Sequence, residues 1–129
     1  MEIEFIESKL LSISFLTEQE GLEDNFYLKY TPAFAVDDNH KFVVKFDVKL
    51  TSDNGVAISM EYAGLFETSE EITEDFKDGH FASVNAPTIT FPYLRSFVTT
   101  FTVNAGLDPV ILPTINFQAL VEQSKKEQV

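Results

Sequence analysis

Apolar residues in the first half of the chain recur at every second position, which is the period of a β-strand. The alternation is clearest in residues 41–50, where the intervening positions are mostly lysine and aspartate. Similar alternation runs through residues 2–16, 26–36 and 56–62. We therefore predict four strands within about residues 2–66, forming an antiparallel sheet with one apolar face. The apolar parity consists of Ile3, Phe5, Leu11, Ile13 and Phe15, then Phe26, Leu28, Tyr30, Phe34 and Val36, then Phe42, Val44, Phe46, Val48 and Leu50, and finally Val56, Ile58, Met60 and Tyr62.

Three local features refine this sheet. The first strand has a break in its alternation near Glu7 to Lys9. Pro32 lacks a backbone N–H, so the second strand is expected at an edge of the sheet or bent. The segment from Thr51 to Gly55 contains an Asn-Gly pair, which favours a tight turn between antiparallel strands. The third and fourth strands are therefore expected to form a hairpin.

The acidic run after the fourth strand departs from the alternation. We predict a short helix over about residues 69–78. Thr68 and Glu71 fit a capping box, in which each side chain bonds the backbone N–H of the other residue. Gly79 favours the end of this helix. Its acidic residues are expected on a solvated face.

Residues 90–106 carry two conflicting signals. Apolar residues at i, i+3, i+4 and i+7 form one stripe of a helix, but many residues of the segment are β-branched and favour a strand. Pro92 suits a first helical turn and Gly106 suits the position after the last. Propensity alone leaves both alternatives open, and a long helix over about residues 91–105 is the prediction that the flanking residues favour. The stripe consists of Leu94, Phe97, Val98 and Phe101.

The remaining residues predict a connector and a terminal helix. Pro109 and Pro113 favour an extended connector, and Asn116 is the expected N-cap of a helix over about residues 116–126. Strands first and helices after predict an α+β domain spanning residues 1–129. Its expected architecture is a four-stranded antiparallel sheet with two main C-terminal helices packed on one face.

Composition excludes several classes of function. The chain has 129 residues and a net charge of −12, so nucleic acid and anionic membrane surfaces would repel it. It contains no cysteine, which excludes disulfides and thiolate chemistry. The acidic start lacks the basic region of a signal peptide, and no apolar run approaches the roughly 18–20 residues of a membrane span. We expect a cytoplasmic protein without membrane insertion.

Residues that would carry catalysis are sparse. His40 and His80 are the only histidines, and both are expected in solvated turns. No glycine-rich phosphate loop, nucleophile motif or calcium loop is present. We predict no catalytic residue, no metal site and no cofactor. An enzyme or small-ligand binder that combines His80 with buried acids remains as an alternative.

Phenylalanine occurs thirteen times in this chain. A domain of this size has a limited interior, so apolar residues beside loops and prolines are expected to stay exposed or to be covered by another subunit. Such a surface on an acidic protein predicts oligomerisation, binding of other polypeptides, or both. The candidate groove residues are Phe26, Tyr27, Tyr30, Phe34, Leu107, Val110, Ile111 and Leu112, and the candidate oligomer interface is Leu94, Phe97, Val98 and Phe101.

The segment Asn85 to Leu120 resembles the C-terminal half of SecB, the protein-export chaperone. Its matching features are an F-P-Y-x-R segment, a glycine about eleven residues later, a proline-bearing connector and a P-x-x-N-F-x-A-L ending. Tyr62 to Phe66 is similar to the end of the family's fourth strand. The resemblance covers roughly residues 60–121. The residues that carry the main motifs are Phe91, Pro92, Tyr93, Arg95, Gly106, Pro113, Asn116, Phe117, Ala119 and Leu120.

The resemblance implies an ATP-independent holdase that binds unfolded polypeptides or preproteins in hydrophobic grooves. It also implies a homotetramer, a dimer of dimers, with the long helix at the central interface. Export members dock on the SecA ATPase through acidic residues on the first and fourth strands. The corresponding positions here are Ser12, Leu16 and Ser59, none of them acidic. Two alternatives therefore stay open: an export chaperone, or a dedicated chaperone of one partner such as an antitoxin, without delivery to SecA.

Overall fold

The structure of the chain is a computed structural model that describes residues 1–127, with side chains up to Ser124. It divides into two compact units, with the boundary between Glu71 and Ile72. The first unit contains all the strands that the structure describes, and the second contains its helices.

The first unit is a four-stranded sheet. Strands β1 (Ile3–Leu16), β2 (Asn25–Phe34), β3 (Lys41–Thr51) and β4 (Ala57–Thr68) lie in the order β1-β4-β3-β2. All three neighbouring pairs are antiparallel. The strands β1 and β2 therefore form the two edges, as Pro32 predicted for the second strand.

A row of four phenylalanine rings crosses the apolar face of this sheet. Phe34 on β2 lies 5.6 Å from Phe42 on β3, and Phe42 lies 5.1 Å from Phe66 on β4. Phe5 on β1 completes the row at 5.3 Å from Phe66. The two inner rings are fully buried, whereas the two edge rings are half-buried. Aromatic contacts at these distances add stabilisation beyond that of buried area alone.

Two β-bulges shape β1. The pairing with β4 shifts between Phe5 and Glu7, and again between Leu10 and Ser12. Each bulge adds one residue, so the alternation changes sides at the first and changes back at the second. The prediction that Leu11 faces the core is therefore wrong: Leu10 takes that place, and Leu11 is exposed.

The hairpin between β3 and β4 is confirmed. Ser52 donates its N–H to the carbonyl of Val56 at 2.9 Å, and the Gly55 N–H bonds the Ser52 carbonyl at 3.0 Å. Gly55 has a φ of 91° and lies close to the backbone of Gln19, where a Cβ would meet Gln19 atoms at 3.1 Å. Only glycine satisfies both conditions without strain.

The second unit begins with a shorter helix than the sequence predicts. Helix α1 (Glu74–Lys77) is a single turn whose N-cap is Thr73, which accepts the Phe76 N–H at 3.1 Å. The predicted capping box at Thr68 is wrong because Thr68 is the last residue of β4. Its N–H donates to the His40 carbonyl at 2.7 Å, which holds the segment in the sheet.

The long helix starts earlier than predicted. A π-helical turn (Phe81–Asn85) leads directly into helix α2 (Ala86–Asn104). Pro87, not Pro92, is the proline at the start of α2, directly after the π-helical turn. Pro92 lies inside the helix on its exposed side. The predicted glycine after the last turn is confirmed at Gly106, with a φ of 85°.

Helix α3 (Phe117–Glu127) ends the described residues. Its predicted N-cap is confirmed, since Asn116 Oδ1 accepts the Ala119 N–H at 3.0 Å. The buried Phe117 ring packs edge-on against Phe91 of α2 at 5.6 Å. A four-stranded antiparallel sheet followed by two main helices confirms the α+β class.

Candidate functional site

The edge strand β2 carries a partly exposed apolar surface. Its side chains alternate strictly between half-buried and exposed. Four of the five half-buried residues pair with buried residues of β3, and Phe26 pairs with the half-buried Leu50. Because β2 has a neighbour on one side only, the apolar face that β3 and β4 bury stays partly open here. We call this the edge-strand surface. It consists of Phe26, Leu28, Tyr30, Pro32 and Phe34.

Tyr27 does not belong to this surface. It lies between Phe26 and Leu28, so its side chain projects from the opposite face of the sheet. It is 49% exposed and lies beneath the ammonium group of Lys49, which is 6.0 Å from the ring centroid. The structure therefore corrects the predicted groove by separating Tyr27 from Phe26, Tyr30 and Phe34.

Tyr30 is the polar member of the edge-strand surface. Its ring lies 6.2 Å from Phe46, a fully buried residue of β3. Burial raises the pKa of the Tyr30 hydroxyl above its ordinary value of 10.0. A tyrosine hydroxyl with the ordinary value is already neutral at physiological pH, and the upward shift keeps it so, which leaves the surface uncharged.

The connector between α2 and α3 exposes one large apolar side chain. Ile111 is 72% exposed, and Leu107 and Val110 are half-buried. The next residue, Leu112, is only 2% exposed. The prediction that Leu112 lines an open groove is thus corrected: its side chain is part of the folded interior. We call Leu107, Val110 and Ile111 the connector surface.

Helix α2 holds this connector through three polar side chains. Thr99 Oγ1 donates to the Val110 carbonyl at 2.7 Å, and Arg95 Nε donates to the Leu112 carbonyl at 3.2 Å. Thr102 Oγ1 accepts the Val110 N–H at 3.0 Å. Bonds to backbone groups on both sides of Ile111 fix which side chain points outward.

We call these hydrogen bonds from α2 to the connector the tether. The tether was not predicted, although the sequence contains a signal for it. Arg95 donates to a backbone carbonyl of the connector. Arg95, Thr99 and Thr102 stand at i, i+4 and i+7, which is one polar stripe of the helix. When such a stripe is followed by a proline-rich extended segment, it indicates that these side chains form hydrogen bonds to the backbone groups of that segment, which lacks regular secondary structure.

The four residues predicted at an oligomer interface separate into two kinds. Leu94 and Val98 are 0% and 2% exposed within the single chain, which corrects their assignment to a surface. The rings of Phe97 and Phe101 stack at 5.8 Å and are half-buried. The exposed large apolar residues of α2 are instead Ile89, Tyr93 and Val103.

The two histidines have no shared site. His40 lies at the start of β3, where its Nδ1 is 3.1 Å from the Thr68 carbonyl and its N–H bonds Asp38. His80 is exposed before the π-helical turn. Among the side chains described, which end at Ser124, no three from histidine or acidic residues gather in a way that could hold a metal. Within residues 1–127, no helix has the length and apolarity to cross a membrane.

Ser12, Leu16 and Ser59, the positions that the resemblance to SecB aligns with acidic docking residues, lie near one another on the sheet. Ser12 pairs with Glu61, and Leu16 with Ala57, while Ser59 lies between them on β4. All three are exposed on the face opposite the phenylalanine row. The structure therefore brings these positions onto one surface, without a carboxylate at any of them.

Comparison with known proteins identifies relatives over most of the chain. The family described as preprotein translocase subunit SecB matches residues 11–128. The protein-export protein SecB of Nitrosomonas europaea is 34% identical over 86% of this chain and 70% of its own length. That of Desulfotalea psychrophila is 29% identical over 72% of this chain and 62% of its length. An uncharacterised protein of Methanocaldococcus jannaschii is 41% identical over 56% of this chain and 47% of its length. The chain thus spans about half of that archaeal protein and about three-fifths of the Desulfotalea protein.

Solved structures show the same fold. A SecB-like chaperone of Mycobacterium tuberculosis, in complex with a peptide from an antitoxin, superposes with a TM-score of 0.70 at 18% identity. The match covers 88% of this chain and 90% of that one. A Streptococcus agalactiae protein of unknown function superposes with a TM-score of 0.58 at 12% identity. Since the family match covers nearly the whole chain and the fold agrees, the chain belongs to the SecB family.

Proposed function

We propose that this protein is an ATP-independent holdase, which binds unfolded polypeptides on exposed apolar surfaces and keeps them from aggregating. The observation that carries the proposal is the edge-strand surface, whose aromatic and aliphatic side chains stay half-exposed beside a fully buried core. Apolar surface contributes roughly 25 cal/mol per Å² removed from water, whatever the sequence of the client. The connector surface supplies a second apolar contact, with Ile111 projecting from a tethered backbone.

Membership of the SecB family supports a cytoplasmic role in protein export. No step of that role needs a cofactor or a catalytic residue, because holding a client is a binding equilibrium. The net charge of −12 keeps a protein with exposed apolar surfaces soluble through mutual repulsion. Clients would be unfolded polypeptides and preproteins.

The proposal includes a homotetramer built as a dimer of dimers. Helix α2 supports it, because Arg95 is the only charged residue among its 19 residues, in a chain with 21 acidic residues. Apart from Asn104 at the end of the helix, its exposed positions are apolar, small or hydroxyl-bearing, which suits a surface that another subunit covers. We place the subunit contact on Ile89, Tyr93, Phe97 and Phe101.

Replacing Phe97 with aspartate should break the assembly. An aspartate there would be buried without a partner in the subunit contact, at a cost of several kcal/mol. We expect light scattering to give the mass of a dimer at concentrations where the unchanged protein is a tetramer. The control is Gln118→Asp, which adds the same charge at an exposed position of α3. A tetramer that survives Phe97→Asp would place the contact on another face.

A second candidate function is supported by the non-acidic docking positions. SecA delivery in export members relies on acidic residues, whereas Ser12, Leu16 and Ser59 carry no charge. The protein would then serve one dedicated partner, such as an antitoxin, without SecA. A panel of unrelated unfolded clients distinguishes the two functions, because a dedicated chaperone binds one and a general holdase binds several.

Two tyrosines of β2 provide a matched test of the binding surface. Tyr30→Ser removes part of the edge-strand surface, and we expect client affinity to fall about fivefold, from about 1 kcal/mol of lost apolar contact. Tyr27→Ser makes the same change on the opposite face of the same strand and should leave affinity unchanged. Fluorescence anisotropy with a labelled, permanently unfolded polypeptide measures both. Equal losses in the two variants would contradict the assignment of the surface.

A further inference from the structure

The sheet face opposite the phenylalanine row carries an unusual share of the positive charge. Five of the nine basic residues of the chain lie there, in a protein of net charge −12. The register establishes this placement: Lys9 and Lys45 both pair with Ala63, Lys29 pairs with Asp47, and Lys49 pairs with Tyr27. Lys41 shares the parity of Lys45 and Lys49 along β3.

One half of this face carries mostly negative charge, and the other half carries mostly positive charge. The half formed by β1 and β4 carries four glutamates and one lysine, Glu4, Glu7, Glu61, Glu67 and Lys9. The half formed by β2 and β3 carries four lysines and one aspartate. We call the second half the lysine patch. It consists of Lys29, Lys41, Lys45 and Lys49, with Asp47 among them.

The lysines of this patch are weakly paired. Lys45 lies 3.4 Å from Glu61, and Lys41 lies 3.8 Å from Asp38, both as surface ion pairs. Within the described part of the chain, Lys29 and Lys49 have no carboxylate within ion-pair distance, although the chain has 21 acidic residues. Surface pairs contribute about 0–1 kcal/mol each, so all four ammonium groups are available to a partner at little cost.

We propose that the lysine patch docks an acidic polypeptide segment. Its chemistry fits such a partner: the lysines supply charge, the 49%-exposed Tyr27 ring supplies an apolar contact, and the exposed Thr31 supplies a hydroxyl group on the same face. Asn25, Tyr27, Lys49 and Thr51 also line a shallow depression at one end of the patch.

The surrounding charge gives this docking its specificity. An acidic segment is repelled by most of a surface with net charge −12 and attracted only at the patch, so its encounters are steered to one place. A basic partner, in contrast, would be attracted to many acidic sites and would not be directed to a single one. This inference is independent of client holding, because the patch lies on the other face of the sheet from the edge-strand surface.

A charge-reversal experiment tests the proposal. The probe is a fluorescein-labelled peptide of alternating glutamate and serine, with a lysine–serine peptide and a short single-stranded DNA as comparisons. We expect the glutamate peptide to bind, to weaken with added salt, and to lose on the order of tenfold in affinity for the double variant Lys29→Glu, Lys49→Glu. The control Lys77→Glu, which reverses a charge on α1 that is already paired with Glu74, should change nothing.

Four outcomes would overturn the proposal. One is no binding of the glutamate peptide, and another is binding that the double variant leaves intact. A third is equal binding of the DNA with equal loss in the double variant, which would indicate a nucleic-acid surface. The fourth is a concentration-dependent increase in mass that the double variant abolishes, which would identify a second copy of this chain as the occupant.

Discussion

Replacing Phe66 with alanine should lower the free energy of unfolding by about 3–5 kcal/mol. Phe66 is fully buried on β4, and its ring contacts Phe42 at 5.1 Å and Phe5 at 5.3 Å. Alanine removes both ring contacts and leaves a cavity at the centre of the row. Domains of this kind are stable by about 5–15 kcal/mol, so this change removes a large fraction of the stability. Urea unfolding followed by circular dichroism measures it, at one fixed chain concentration because association adds stability.

Phe34→Ala provides the control within the same row. Phe34 lies 5.6 Å from Phe42 and is half-buried on the edge strand, whereas Phe66 is fully buried. Its loss should cost less than half as much as the loss of Phe66, because solvent already reaches the site and a smaller cavity forms. Equal costs at the two positions would mean that the row is buried evenly, contrary to a core that opens toward β2.

Thr102→Val should destabilise the connector by about 1–3 kcal/mol. Valine keeps the shape of threonine but leaves the Val110 N–H without the acceptor that it has at 3.0 Å. The expected results are a lower free energy of unfolding and faster amide hydrogen exchange at Val110, since this amide loses its bond.

Thr90→Val is the matched control for this change. Both threonines are fully buried in α2, and both donate their hydroxyl to the carbonyl four residues earlier at 3.0 Å. Thr90 has no bond to the connector that the structure records, so its replacement should be nearly neutral. If both variants lose the same free energy of unfolding, the lost bond to the helix carbonyl, and not the lost bond to the connector, accounts for the effect at Thr102.

The sheet was largely predictable because its periodicity is local. Alternation along β3 identified the buried side chains directly, and the Asn-Gly pair identified the hairpin. The bulges of β1 were only partly predictable, because an inserted residue leaves no mark in composition. The break expected near Glu7 to Lys9 lies beside the first bulge, but no signal marked the second. At each bulge, the core-facing residues of β1 change from odd to even positions or back. Leu11 was therefore assigned to the core, and Leu10 was not.

The helices were predicted in kind but not in extent. Pro87 and Pro92 both suit a first turn, and only the π-helical turn before Ala86 decides between them. Spacing showed that Leu94 and Val98 share a stripe but gave no reason to prefer a core over a subunit contact. A helical period shows which side chains point together, and the direction in which they point depends on tertiary structure.

The candidate site was harder to predict from the sequence than the helices, because it depends more strongly on tertiary contacts. Ile111 and Leu112 are neighbours with similar chemistry, yet one is exposed and the other buried. The difference follows from the tether, because Thr99 and Arg95 fix the backbone on either side of Ile111. Membership of the edge-strand surface follows from strand order, which alternation alone does not give. Tyr27, in contrast, was assignable by parity to the opposite face.

Suppression of aggregation tests the central claim most directly. A chemically unfolded client is diluted from denaturant with four chains of the protein, the number in the proposed tetramer, per client chain, without ATP, and light scattering is followed. We predict that scattering stays low for several unrelated clients and that the Tyr30→Ser variant protects less well than Tyr27→Ser. Unchanged aggregation of every client, with the assembly intact by mass, would contradict the holdase function.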